Sequence, residues 1–143
     1  MRIPASAFEL IRGETERAYP HECCGALLGR LRDGAAREVV RVVPLANARA
    51  SERERRYLIE PGTIRALDEQ ARADGLEILG FYHSHPEHAP LPSAFDGEHA
   101  WPWYTYLIVA VRNGVAGEAR AWVLAGDRTR FQAEELVILQ EAT

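Results

Sequence analysis

Residues 76–85, Leu-Glu-Ile-Leu-Gly-Phe-Tyr-His-Ser-His, restrict the fold of this chain more than any other stretch. Successive side chains of a β-strand point to opposite faces. On that alternation Leu76, Ile78, Gly80, Tyr82 and Ser84 share one face, and Leu79, Phe81, His83 and His85 share the other. Both faces are largely apolar, so the strand must be covered on both sides and belongs in the middle of a sheet. It ends by presenting two histidines side by side. Pro86, Pro90 and Pro92 then exclude regular structure from the loop that follows.

The neighbouring segments supply the rest of a mixed sheet and its cover. Residues 5–18 read as a helix whose apolar face carries Phe8, Ile11, Thr15 and Ala18, with Arg12, Glu14, Glu16 and Arg17 on the wet side. The apolar runs at 22–31 and 38–45, separated by Arg32-Asp33-Gly34, read as a hairpin. Residues 46–60 are polar and arginine-rich without a period, and read as a solvated connecting loop rather than a contact for an acidic partner. A second helix spans 61–73, with Pro61 in its first turn, Ile64, Leu67 and Ala71 on its apolar stripe, and Gly75 closing it. A short helix is expected from Ser93 to about Trp101, then strands at 104–111 and 119–124 around an Asn113-Gly114 turn. Residues 130–139 fit a last strand or a short helix. The order is α-β-β-α-β-(α)-β-β. The expected class is α/β (α+β), a mixed β-sheet flanked by helices, in a single domain over 1–143.

Two histidines at i and i+2 on one strand face are close enough to share a metal ion. Asp96 follows after the proline-broken loop and brings the count to three. Three protein ligands with an open fourth position are the usual set at a catalytic zinc. Ser93 precedes Asp96 by three residues. It reads equally as a catalytic hydroxyl or as the cap of the short helix, since Ser with an acid three residues later is a capping box. His88 and His99 read as surface residues. His85-Pro86-Glu87 matches the His-x-Glu of zinc deaminases, but their Pro-Cys-x-x-Cys partner is missing, which removes that reading.

Composition narrows the function classes. The formal net charge is −4 with both signs interspersed, which argues against a nucleic-acid binder. No apolar run reaches membrane-spanning length and the N-terminal residues form no apolar leader, so a cytoplasmic protein that does not engage a membrane is expected. The two cysteines, Cys23 and Cys24, are adjacent and suit small buried thiols rather than a disulfide. All 17 basic residues are arginine, which fits genomic base composition better than selection against lysine acceptors.

His83-Ser84-His85-Pro86 followed by Pro92-Ser93-x-x-Asp96 resembles the JAMM signature of MPN-domain metalloproteases. Upstream, Pro20-His21-Glu22-Cys23-Cys24-Gly25-Ala26-Leu27-Leu28-Gly29 is similar to the family's glutamate before a Cys-Gly and a small apolar strand. The likeness covers residues 20–96. It implies an MPN-type (cytidine-deaminase-like) fold and one Zn2+ per chain on His83, His85 and Asp96. It also implies Glu22 as general base and Ser93 as the hydroxyl that donates to a developing oxyanion. The implied activity is zinc-dependent isopeptidase or peptidase cleavage after the C-terminal Gly-Gly of a ubiquitin-like or sulfur-carrier protein, as in short prokaryotic members. The alternatives are a non-catalytic MPN scaffold that binds partners and a zinc hydrolase of small amides or peptides. The chain is compatible with a homodimer.

Overall fold

The computed structural model describes residues 1–32, 36–47 and 59–140. Asp33 and Gly34 of the turn expected at 32–34, and most of the loop expected at 46–60, lie outside the described residues.

The described residues form β1 (Arg2–Pro4), α1 (Ala5–Ala18), β2 (Cys24–Arg32), β3 (Ala36–Leu45), α2 (Pro61–Ala73), β4 (Glu77–Pro86), α3 (Ala94–His99), β5 (Thr105–Arg112), β6 (Val115–Leu124), β7 (Phe131–Glu134) and β8 (Val137–Leu139). Eight strands make one mixed sheet in the order β7-β6-β5-β4-β2-β3-β1-β8. β4 is central, antiparallel to β2 and parallel to β5. The hairpin of β2 and β3 and both long helices stand where the periodicity places them. Gly75 closes α2 at φ 72°, with the Leu76 N–H returning to Ala71 O at 2.8 Å. β5 and β6 turn at Asn113 and Gly114, both at positive φ, the conformation of a two-residue hairpin loop.

Residues 130–139 prove to be neither one strand nor a helix. They split into β7, which pairs with β6, and β8, which pairs with β1 at the other end of the order. Only Glu135 and Leu136 separate these strands, so the sheet must curl until its ends meet. Glu134 ties the seam. Its Oε2 accepts from the Met1 ammonium at 2.9 Å, and its Oε1 accepts from the Thr105 hydroxyl at 2.6 Å. β1 also escaped the sequence reading, because three residues are too few to show a period.

The faces of β4 differ from simple alternation. Leu27 pairs with Gly80 and Leu28 with Ile78, so Leu79 is an extra residue in the ladder, a β-bulge. A bulge shifts the alternation by one position. Ile78 and Phe81 therefore lie in the same core cluster, packed with Leu67 and Ala71 of α2. Leu79 and Tyr82 pack with Phe8 and Ile11 of α1. Glycine is required at the bulge, since a Cβ at Gly80 would stand 1.9 Å from the Thr105 carbonyl oxygen. Beyond it, Phe81, His83 and His85 face the α2 side, and Tyr82 and Ser84 the α1 side.

The wet side assigned to α1 is only partly wet. Glu14 is half-buried and accepts a hydrogen bond from the Tyr82 hydroxyl, and its burial pushes its carboxyl up from the usual range. Arg12 donates to the carbonyls of Ala116 at 2.9 Å and Gly117 at 3.2 Å, fastening α1 to β6. Both cysteines are free and buried, and burial raises each thiol to about 12.

Candidate metal centre

β4 carries His83 and His85 out of the core on the face shared with α2. Both are buried, His83 completely. Asp96 reaches them from α3, a helix of six residues. So short a helix has little stability of its own, and a capping box fixes its start. The Ser93 backbone N–H donates to Asp96 Oδ2 at 2.7 Å, and the Asp96 N–H donates to Ser93 Oγ at 3.1 Å. The cap thereby orients the Asp96 carboxylate.

Three donor groups converge. His83 Nε2 lies 3.2 Å from His85 Nε2, His83 Nε2 lies 3.3 Å from Asp96 Oδ1, and His85 Nε2 lies 3.4 Å from Asp96 Oδ2. Ligands about 2.0–2.1 Å from one tetrahedral zinc are about 3.3–3.4 Å from each other, so the triangle has the dimensions of one face of such a site. The tautomer of His85 agrees. Its Nδ1 lies 2.9 Å from Ala89 O, a carbonyl that can only accept, so the proton sits on Nδ1 and the Nε2 lone pair points at the group. Among the described residues, His83, His85 and Asp96 are the group of three placed to hold a metal ion.

The electrostatics follow from burial and the single carboxylate. Burial pushes His83 down, against the upward pull of Asp96, and so favours the neutral imidazole that a metal requires. Burial acts downward on His85 too, but Asp96, the Ala89 carbonyl and Glu22 outweigh it and the net shift is up. Asp96 is held well below the usual carboxylate range: burial opposes ionisation, but the two histidines and the Ser93 N–H prevail.

Glu22 reaches the group from two residues before the start of β2. Cys24 pairs with His83, and the ladder continues past that pair, since the Ser84 N–H donates to Cys23 O at 3.1 Å. One further step places Glu22 opposite His85, and directly opposed residues of an antiparallel pair share a face. Glu22 is buried there, and its charge is felt at His85. The four residues singled out in the motif and the distant Glu22 are thus brought into one neighbourhood. Ser93 is exposed at the lip of the site. Its Oγ accepts from Asp96, which leaves the hydroxyl hydrogen available to a further acceptor. His88 and His99 are exposed.

Sequence reasoning missed the supports. The Ala89 carbonyl that orients His85 is backbone and leaves no trace in residue type. Asn47, which donates to the Glu22 carbonyl at 3.2 Å, stands outside any pattern. Ser84 had a signal, its place between the histidines, but no role was drawn from it. A cavity of about 810 Å3 lies against the end of α3, walled by Ile64, Phe81, Trp101, Tyr104, Tyr106 and Arg128. In the sheet order the edge strands are β7 and β8, and β1 is paired with β3 at Arg2 and Glu38, the end of β3 far from the histidines.

Comparison with known proteins agrees with this geometry. A family model described as prokaryotic homologs of the JAB domain matches residues 4–125. A Haloferax volcanii protein named desampylase is 43% identical over 90 residues, which are 62% of this chain and 62% of that one. The match thus spans less than two thirds of that relative's length. A Thermus thermophilus protein named probable TtuB-protein conjugate cleaving protease is 33% identical over 113 residues, 79% of this chain and 71% of that one. The crystal structure of a JAB1/MPN domain protein from Archaeoglobus fulgidus superposes with a TM-score of 0.63 at 18% identity, covering 97% of this chain and 99% of that one, a likeness of fold.

Proposed function

From the premise that this chain belongs to the family of prokaryotic homologs of the JAB domain, we propose that it is a zinc-dependent isopeptidase that cleaves conjugates of a ubiquitin-like or sulfur-carrier protein after its C-terminal Gly-Gly. One observation carries the reading: the donor atoms of His83, His85 and Asp96 stand 3.2–3.4 Å apart, beside a buried glutamate. The names of the two relatives, one a desampylase and one a conjugate-cleaving protease, support the reaction class. Residues 1–143 are taken as one catalytic domain.

His83, His85 and Asp96 would hold the zinc. When bound, it supplies Lewis acidity toward an amide carbonyl and toward water. Glu22 takes the proton of the attacking water and returns it to the leaving amine as the C–N bond breaks. The Ser93 hydroxyl donates to the amide oxygen as negative charge gathers on it. The Ala89 carbonyl keeps the His85 proton on Nδ1, and the capping box keeps the Asp96 carboxylate turned to the histidines. A diglycine tail has no side chains to clash in a narrow approach. The apolar cavity beyond α3 offers surface to the folded body of the carrier.

The test is cleavage of a carrier conjugate by protein stripped with a chelator and then resupplied with zinc. Activity lost and regained with the metal on a Gly-Gly conjugate is expected. Equal activity on unrelated small amides would instead favour a general amide hydrolase, and zinc uptake without cleavage of either would favour a scaffold.

For Ser93→Ala we expect kcat to fall about 100- to 1000-fold, the usual loss of one oxyanion donor. Loss of its capping bond should also cost about 1 kcal/mol of stability. Steady-state rates and thermal melts separate the two roles. A melting shift with an unchanged rate would leave Ser93 as a cap only.

A further inference from the structure

The peptide group that joins Glu22 to Cys23 is held at both polar ends by side chains of other strands. Asn47, two residues beyond β3, donates from Nδ2 to Glu22 O at 3.2 Å. Ser84, buried on β4 between the two histidines, accepts the Cys23 N–H on Oγ at 3.0 Å. In a regular antiparallel pair the Ser84 N–H and Cys23 O would be matched by the Cys23 N–H and Ser84 O. The first bond is made, at 3.1 Å. The second is replaced by the serine hydroxyl, which lies on the α1 side of the sheet and draws the amide out of the ladder.

We propose that Ser84 and Asn47 are positioning residues that fix this peptide plane and so aim the Glu22 carboxylate across the metal group. The inference rests on the reading of Glu22 as general base. Glu22 stands two residues before the start of β2, and its carbonyl is one end of the clamped peptide, so the bonds that hold this peptide bear directly on the direction of the Glu22 backbone. A displacement of about 1 Å at a catalytic group costs about 100-fold in rate, so a clamp on this peptide acts on the chemical step. Asn47 is well suited to the task, because its amide donates where an aspartate could only accept. The clamp also assigns a purpose to the residue between the histidines. Its side chain faces away from the metal group and cannot touch substrate there.

Ser84→Ala, Ser84→Thr and Asn47→Asp test it, with Glu22→Ala as reference. The substrate is a ubiquitin-like carrier whose Gly-Gly terminus is joined to an aminocoumarin. Ser84→Ala and Asn47→Asp should each lose about 100-fold in kcat, with KM within threefold and zinc content unchanged, and Ser84→Thr should recover most of the rate. In metal-free protein, exchange of the Cys23 amide hydrogen, followed by NMR, should quicken at least tenfold in Ser84→Ala and return toward the wild-type rate in Ser84→Thr. Wild-type kcat in both variants beside an inactive Glu22→Ala would overturn the clamp and leave the base in place. So would losses that track lost zinc or unfolding. An active Glu22→Ala, or a wild-type protein that leaves the carrier amide intact, would overturn the base reading and the clamp with it. Should Ser84→Ala fail to fold, Asn47→Asp, on a partly exposed residue, decides the question.

Discussion

Glu22→Ala should lower kcat by about 100- to 10,000-fold, the range supplied by a positioned general base, while the protein keeps its zinc. Glu22 is not one of the three donors within 4.8 Å of one another, so its removal leaves the metal group whole. Glu22→Gln should lose as much, since the amide keeps the size of the side chain but cannot take a proton. Elemental analysis and steady-state rates on the same preparations give both readouts. Near wild-type turnover in either variant would remove Glu22 from the mechanism, and a parallel loss of zinc would make it a fourth ligand.

His83→Ala should abolish both metal and activity. His83 is wholly buried, and two of the three short donor distances run through its Nε2. Loss of a residue that merely orients a ligand costs about 10- to 100-fold in metal affinity, so loss of a ligand itself should exceed about 100-fold. About one zinc per wild-type chain and almost none in the variant is the expected analysis. Zinc should also raise the melting temperature of the wild type, as any ligand selective for the folded state does, and leave the variant unmoved. A variant that binds zinc and cleaves as the wild type does would place the metal elsewhere.

Much of this site was legible because its geometry is local. A strand carries His83 and His85 to the same side by its period of two, and a helix cap carries Ser93 and Asp96 to the same end by its spacing of three. Glu22 was legible only through family resemblance. Its approach to His85 depends on the register of β2 against β4, which no local pattern encodes. The strand ends were hidden for a related reason. β1 and β8 are three residues each and exist because they pair with one another, from opposite ends of the described chain. The bulge at Leu79 was hidden because an extra residue is defined by the partner strand, where Leu27 and Leu28 answer Gly80 and Ile78. Periodicity read in one strand alone put the histidines on the face with Leu79, when that leucine packs toward α1.

That extra residue makes the strand tolerant of a change in length at the bulge. Leu28 answers Ile78 and Leu27 answers Gly80, so a chain lacking Leu79 would pair these partners in a regular ladder and still turn both imidazoles toward α2. A residue lost between Gly80 and His83, with the bulge kept, would turn both imidazoles toward α1, away from Asp96 and Glu22. The signature from His83 to Asp96 would be the same row of letters in either chain. Among homologous chains, single-residue changes of length in this strand should therefore gather at position 79. A search that scores the motif and ignores the spacing upstream of it would accept proteins that cannot assemble the centre.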